Sequence, residues 1–375
     1  MAERHPKVSD IIDIMEQWAP AWLAESWDNV GLLAGSYHAP VKEAWVALEA
    51  SPALLARAMR SPVQMLLFHH PPIFSPLKNL NLTKPTQSAL IKAAASGLNL
   101  FAAHTNLDAA DGGVNHALAD CLGLLNCRSL TPVAADSLLK VVVYAPEENA
   151  PAVSAALFNA GAGHIGNYQE CAFMMRGQGQ FKPMDGARPH LGRRHELAKV
   201  DETRLEVILP KARLNQVLRA LYRHHPYEEP AFDIIPLLNT PALSGFGRVG
   251  DLPTPESGQA FSRRAARVLK SNAPVFGGKM PDQVQKVAVL GGAGAFALQN
   301  AAAAGAQVFI TGEAGYHTAT DAEDLNICML VLGHYATEAV IVPRWARRLK
   351  AELKGRGFSC AIRTPATSDM WQSLK

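Results

Sequence analysis

Cysteine is scarce in this chain of 375 residues. The five present, Cys121, Cys127, Cys171, Cys328 and Cys360, are odd in number and lack the spacing of a zinc ribbon or a C-x-x-C redox pair. A disulfide framework is therefore excluded, and reduced thiols in a cytoplasmic protein fit best. No apolar run is long enough to cross a bilayer. The stretch Ala293–Ile310 comes closest, but Gln299, Asn300 and Gln307 interrupt it. The opening MAERHPKVSD carries charges and no apolar segment, which predicts no signal peptide. Nor is there an excess of either charge. With 36 basic and 33 acidic residues the formal net charge is +3, so neither nucleic acid nor a membrane surface is an expected partner. No G-x-S-x-G elbow occurs, which disfavours a serine hydrolase, and no glycine-rich loop ends in Gly-Lys-Ser/Thr as a P-loop requires. What remains is a chain 48% hydrophobic and 18% charged, ordinary for a globular protein and long enough for two or three domains.

One stretch organises the rest. In VQMLLFHHPP, Val63–Pro72, a mostly apolar run ends in His69 and His70, and two prolines forbid the strand to continue. The imidazoles then sit on a stiff turn at a strand's C-terminal end, where open α/β sheets place their ligands. Neighbouring strand residues point to opposite faces, so adjacent histidines more naturally serve two metal ions than chelate one. The alternative is a pair of partly exposed turn histidines.

Along the chain, Ser9 can cap a first helix on which Val8, Ile11, Ile12, Met15 and Trp18 recur at helical spacing. Strands are expected at Ala44–Glu49, Val63–Phe68 and Leu98–Ala103, with helices at Pro52–Met59 and Pro85–Ser96 between them. This alternation predicts an α/β fold with a mainly parallel sheet. Beyond about residue 133 the pattern changes to two similar units. Lys140–Ala145 with Ala150–Ala160, and Arg204–Leu209 with Ala212–Arg223, each place a proline after the strand and then a helix. Two such halves suggest a ferredoxin-like α+β domain inserted at residues 137–238, with 1–136 and 239–375 forming one discontinuous domain. From Gly247 the first style resumes, with strands at Lys286–Leu290, Gln307–Ile310 and Cys328–Leu332 and helices at Gly258–Lys270 and Val340–Leu353.

Three strand ends carry ligand-type side chains. His69 and His70 follow one, Asp108 a second, and His334 with Glu338 a third. On a helix opening at Gly333, His334 and Glu338 share one face. Three histidines and two carboxylates suit zinc, iron or manganese, and a carboxylate can bridge two cations. His104, four residues before Asp108, is either a proton shuttle or a hydrogen-bonded turn residue. Glu313 and His317 in TGEAGYH are further candidates for the same pocket, although His317, at an expected helix start, is better read as having no role there. Two other patterns compete. Gly292, Gly294 and Ala297 in GGAGAFA satisfy the dinucleotide fingerprint G-x-G-x-x-A, with Glu313 placed as the ribose acid; a bare turn or a loop lining the metal pocket is the alternative. HHPYEEP, with His224, His225, Glu228 and Glu229, looks like a second metal cluster or a proline-fixed turn. Cys328, within an apolar strand, reads as core.

The motifs SWDNVGLL, LLFHHPPIF, AAHTNLDAADGGVN, ITGEAGYH and LGHYATE, in this order, resemble the Nif-three-like dinuclear metal-centre family, also called GTP cyclohydrolase 1 type 2. HIGNYQECAF, GQGQFKP and HHPYEEPAFDI resemble the CutA/PII-like insert of its longer members. The resemblance implies two divalent metal ions per chain held by His69, His70, Asp108, His334 and Glu338, with Glu338 as the bridge. It also implies a toroidal homohexamer, a trimer of dimers with its sites facing an internal cavity. Glu49 in WVALEAS departs from an expected aspartate. The expected activity is metal-dependent hydrolysis of a small, nucleotide-like molecule. The rival is a non-enzymatic metal-binding regulatory or assembly protein whose insert binds a partner or effector. The ligand set contains no cysteine and leaves room for water, unlike closed structural zinc sites, which favours chemistry.

Overall fold

The computed structural model describes residues 3–132, 138–165, 168–237 and 244–372. The chain divides into two compact units, Met1–Val133 with Ala242–Lys375, and Ala134–Pro241. The expected junctions at 136–137 and 238–239 lie outside the described residues, as do Gly166 and Asn167 of HIGNYQECAF.

In the first unit, helix α1 (Val8–Trp18) buries Val8, Ile11, Met15 and Trp18 along the expected stripe. Its cap is not Ser9. The helix starts one residue earlier, and the Asp10 carboxylate accepts from the Lys7 N–H at 2.7 Å, so a first-turn acid does the capping. Strands β1 (Gly31–Ala34), β2 (Glu43–Ala47), β3 (Met65–Phe68) and β4 (Asn99–Ala102) follow, with α2 (Pro52–Ala58) and α3 (Pro85–Ala95) between the last three. Ser51 caps α2 by accepting from the Leu54 N–H, and Pro52 pre-sets its first turn. After β4 come α4 (Thr105–Ala109), α5 (Val114–Leu122) and β5 (Leu125–Pro132).

The second unit contains β6 (Leu138–Pro146), α6 (Ala150–Asn159), β7 (Ala172–Phe181), β8 (Ala198–Pro210), α7 (Leu214–His224) and β9 (Phe232–Pro236). Its sheet has the order β7-β8-β6-β9, antiparallel throughout, which is the split βαβ arrangement. Val141, Val143, Val153, Leu157, Leu205, Val207, Val217 and Leu221 form its core.

The chain then returns to the first unit as β10 (Gly245–Glu256), α8 (Gly258–Val268), β11 (Val275–Gly278), β12 (Val284–Leu290), α9 (Leu298–Ala303), β13 (Val308–Thr311), α10 (Tyr316–Asp324), β14 (Cys328–Val331), α11 (His334–Glu338), α12 (Ile341–Gly355) and β15 (Ala361–Arg363). The expectation of a mainly parallel sheet holds for only part of this unit. It has two sheets. In the first, β1-β4-β3-β2-β15, every pair but β1-β4 is parallel. In the second, β11-β14-β13-β12-β10-β5, only β12-β13 and β13-β14 are parallel. The missed strands give no apolar run. β5 is largely exposed, and β10 carries glycines, an arginine, an aspartate and two prolines. Helix α5 serves both cores: Val114 and Ala117 join the one containing α1, β3 and α12, and Leu118 and Leu122 join the one containing β12–β14.

Arg248 on β10 is fully buried. Its guanidinium donates to the carbonyls of Gly245, Gly247 and Ala110 at 2.6, 2.6 and 3.1 Å, and to His116 Nδ1 at 3.0 Å, tying β10 to the turn before α5. Cys328 is buried within β14, and burial pushes its thiol up to about 11, as expected of a core residue. Among the described residues no helix is long and apolar enough to cross a membrane.

Candidate metal centre

The C-terminal ends of parallel strands from both sheets of the first unit supply the site. At the end of β3, which lies between β2 and β4, the N–H groups of His69 and His70 donate to the carbonyls of Ala47 and Leu48. The prolines then turn the chain away. At the end of β4, His104 leads into α4, whose short turn carries Asp108. At the end of β14, Gly333 has φ +94°, a conformation that a side chain strains, and it opens the single turn of α11. His334 and Glu338 then share one face, with Nε2 and Oε2 at 3.0 Å.

These ends converge on Glu338, which is 3% exposed. Its Oε2 lies 2.7 Å from His70 Nε2, 3.0 Å from His334 Nε2 and 3.9 Å from His69 Nε2. Asp108 Oδ1 lies 3.6 Å from His69 Nε2, and neither of these two buried atoms has a hydrogen-bond partner. Three overlapping sets have their ligand atoms within 4.8 Å of one another: His69, Asp108 and Glu338; His70, His334 and Glu338; and His69, His70 and His104.

Three of the imidazoles are held by their other nitrogen. His69 Nδ1–H donates to the Ala103 carbonyl at 2.9 Å, His334 Nδ1–H to Glu313 Oε1 at 2.9 Å, and His104 Nδ1–H to Asp28 Oδ1 at 2.9 Å. Each partner fixes the tautomer and leaves Nε2 with its lone pair outward, the usual preparation of a metal-binding imidazole. Nitrogen and carboxylate donors, two of them buried without partners, fit divalent zinc, iron or manganese.

The charges report the same demand for a cation. Burial would push Glu338 up, but the close contacts of His334 and His70, together with the charge of His69, outweigh it and hold the carboxyl well below the usual range. Burial would push His69 down, but the charges of Asp108 and Glu338 reverse this and raise it to about 9. The bond to Glu338 raises His334 to about 9 as well. Asp108 is pushed up to about 6 by burial, although His69 opposes the shift. Without a metal, protons are drawn onto these imidazoles to neutralise the carboxylates.

His69, His70, Asp108, His334, Glu338 and His104 all fall within the three overlapping sets. Glu313 reaches the cluster through its 2.9 Å bond to His334. His317 does not join it; the residue is exposed on the first turn of α10, with its ring 5.9 Å from that of Tyr316. Glu49 is half-buried and is not part of the cavity lining. Sequence reasoning missed Asp28, whose side chain is buried and bonds both His104 and Thr105. Burial opposes its ionisation, but these bonds hold its carboxyl at about 2. SWDNVGLL signalled only a turn, with nothing to link it to a histidine 76 residues away.

The GGAGAFA loop forms a wall of this centre. A Cβ on Gly292, which has φ +63°, would lie 2.1 Å from Glu338 Oε1. The Gly291, Gly292 and Gly294 N–H groups donate to Asn115 Oδ1, Thr337 Oγ1 and Thr311 Oγ1, which leaves none of the three for a pyrophosphate. Glu313, the supposed ribose acid, holds His334 instead. The dinucleotide reading therefore fails on geometry. Beside the metal cluster opens a cavity of about 790 Å³ whose walls include Trp27, Phe74 and Phe296.

The chain is similar to the GTP cyclohydrolase 1 type 2 homolog of Bacillus subtilis, 40% identical over 352 residues that cover 94% of each protein. It is 39% identical over 336 residues to the protein of the same name from Mycobacterium tuberculosis, covering 88% of each. Among solved structures, the Bacillus cereus protein related to NIF3 superposes with a TM-score of 0.83 at 34% identity, covering 99% of this chain and 100% of that one. The family model described as Duf34/NIF3 (NGG1p interacting factor 3) matches residues 6–368. With its site-bearing strands and both units inside that match, the chain belongs to the Duf34/NIF3 family.

Proposed function

We propose that the chain is a hydrolase dependent on two divalent metal ions, acting on a small molecule that carries a planar heterocycle, of which a nucleotide is the leading example. The observation that carries this reading is the pair of unpartnered buried atoms, His69 Nε2 and Asp108 Oδ1, beside the carboxylate of Glu338. His69, Asp108 and Glu338 would hold one ion, and His70, His334 and Glu338 the other. Bound there, the ions would supply a water of lowered pKa and a positive field for charge developing on the substrate.

The chain's own groups supply the rest. His104 lines the cavity with Nδ1 fixed by Asp28, so its Nε2 is the atom placed to take or return a proton. Glu313 positions His334 rather than reaching the reacting atoms, which reassigns it from catalysis to support. His317 has no part in this reading. Trp27 and Phe74, with ring centroids 5.8 Å apart, offer flat apolar surface for a ring, as does Phe296. The names of the curated relatives make GTP the first substrate to try. Assembly as a homohexamer and a CutA/PII-like role for the second unit belong to the same proposal.

The test is metal content per chain by elemental analysis, for wild type and Glu338→Ala prepared without chelators, followed by turnover of GTP and phosphoesters. About two equivalents, falling in the variant, with turnover lost in both Glu338→Ala and His104→Ala, is the expected result. A folded wild type that takes up no zinc, iron or manganese refutes the metal assignment. A loaded protein that turns over no substrate favours the non-enzymatic alternative.

A further inference from the structure

Among the described residues the side chains of HHPYEEP form no cluster of three ligating groups. His224 is turned to the Ala220 carbonyl at 3.0 Å. His225 donates from Nε2 to the Tyr144 carbonyl at 2.9 Å and accepts at Nδ1 from the Tyr227 N–H at 3.1 Å. Both rings are thereby committed to backbone. The remainder of the motif, Tyr227, Glu228 and Glu229, lines a cavity of about 700 Å³ that lies wholly within the second unit. We propose that this cavity is a binding site for a small organic ammonium ion, with Glu202 as its charge partner and Phe181 and Tyr227 as its aromatic walls.

Glu202 carries the argument. It is 9% exposed, and its Oε1 accepts from the Tyr227 hydroxyl at 2.9 Å. Its Oε2 lies over the backbone of β7, where a Cβ at Gly179 would come within 2.1 Å of it. Glycine is therefore required at 179 to admit the carboxylate. Among the described residues no basic nitrogen lies within 4.0 Å of Glu202. One hydrogen bond and no counter-ion among the described residues leave Glu202 able to pair with a cation arriving from solvent. Burial, together with this bond to the carboxylate, pushes the Tyr227 phenol above its ordinary range, so the hydroxyl stays a donor.

The walls select the kind of cation. The rings of Phe181 and Tyr227 have centroids 5.8 Å apart, and His190 lies 6.2 Å from Tyr227. Aromatic faces beside a carboxylate attract ammonium groups through the ring quadrupole. A metal ion fits less well, because among the described residues no three ligating side chains of this unit come together. Two of the outer carboxylates are already engaged. Glu228 accepts from the Arg188 N–H at 2.7 Å, and Asp185 lies 2.9 Å from His195. The volume suits a small organic molecule.

The experiment uses the full chain and equilibrium dialysis or calorimetry with benzylamine, benzyltrimethylammonium and, as the uncharged control, benzyl alcohol. The ammonium probes should bind saturably at one per chain, with benzyl alcohol weaker by about tenfold or more. Glu202→Gln should cost the ammonium probes a similar factor, while Glu338→Gln, in the first unit, should leave their binding unchanged. Equal binding of the alcohol, unchanged binding to a folded Glu202→Gln, or loss of binding in Glu338→Gln would each overturn the assignment. So would displacement of benzylamine by micromolar Mn²⁺, which would make the site a metal site. If Glu202→Gln does not fold, Phe181→Leu gives the same reading: weaker ammonium binding supports the site, and unchanged binding refutes it.

Discussion

Removing the metal should invert the pH dependence of stability, and the inversion should depend on Glu338. In the metal-free protein the Glu338 carboxylate lifts His334 from 6.5 to about 9, mainly through their hydrogen bond. A group whose folded pKa is raised contributes stability fully below its unfolded value and loses it as pH climbs through the folded one. The window is therefore pH 6.5 to about 9. At 1.36 kcal/mol per pH unit the contribution is about 3 kcal/mol. His69 leans on the same carboxylate, so the figure is taken once rather than doubled. Chelator-treated protein should then lose about 3 kcal/mol between pH 6.5 and 9, a fall of about 1 M in the urea midpoint. Metal-loaded protein should show the opposite slope, since ions compete with protons for the same nitrogens. Glu338→Gln should flatten the metal-free slope. The measurement is a series of urea titrations at fixed ionic strength. A midpoint that holds or rises from pH 6.5 to 9 without metal refutes the reasoning, and so does an unchanged slope in Glu338→Gln.

Other perturbations test other parts of the molecule. Gly292→Ala should abolish metal uptake and lower stability by about 1–3 kcal/mol, because the new methyl meets Glu338 in a backbone conformation that disfavours it; metal analysis with thermal melting checks this. Asp28→Asn should keep the fold at neutral pH but free the His104 ring, lowering turnover of any substrate found while leaving metal content intact. In wild type the depressed Asp28 pKa contributes about 2 kcal/mol that is present above pH 3.8 and lost as pH falls towards 2, and this acid-limb term should be missing in the variant. Arg248→Met should cost about 3 kcal/mol by leaving the carbonyls of Gly245, Gly247 and Ala110 without their donor, readable as a fall in melting temperature.

How much of this was legible in the sequence depended on the range of the interaction. The histidine strand, its prolines and the α11 turn follow local rules, so the positions of His69, His70, His334 and Glu338 could be read directly. Apolar strands such as β3, β12 and β14 announced themselves in the same way. β5 and β10 did not, because their hydrogen bonds and not their side chains define them, and with them the antiparallel half of the second sheet went unread. Asp28 escaped for another reason. An aspartate in a turn has many local uses, and only the folded chain brings it to His104. The glycines of GGAGAFA were legible as a need for close approach, but the group that approaches is a carboxylate of the same protein rather than a phosphate.

The manner of insertion of the second unit has a kinetic consequence. Strands β5 and β10 are antiparallel neighbours, with Pro132 opposite Gly245, so the whole second unit occupies what would otherwise be a hairpin loop. As an unfolded chain, a loop of about a hundred residues would raise the entropic cost of closing that hairpin by about 3 kcal/mol over a tight turn. The second unit removes much of this by itself. Its first and last strands lie side by side, with the Leu237 N–H donating to the Leu138 carbonyl at 2.8 Å, so its two ends emerge together. Once folded, it presents the host with a short effective connection. Early folding of the insert should therefore accelerate β5–β10 pairing, and damage to the insert's core should slow assembly of the histidine–carboxylate cluster of the first unit.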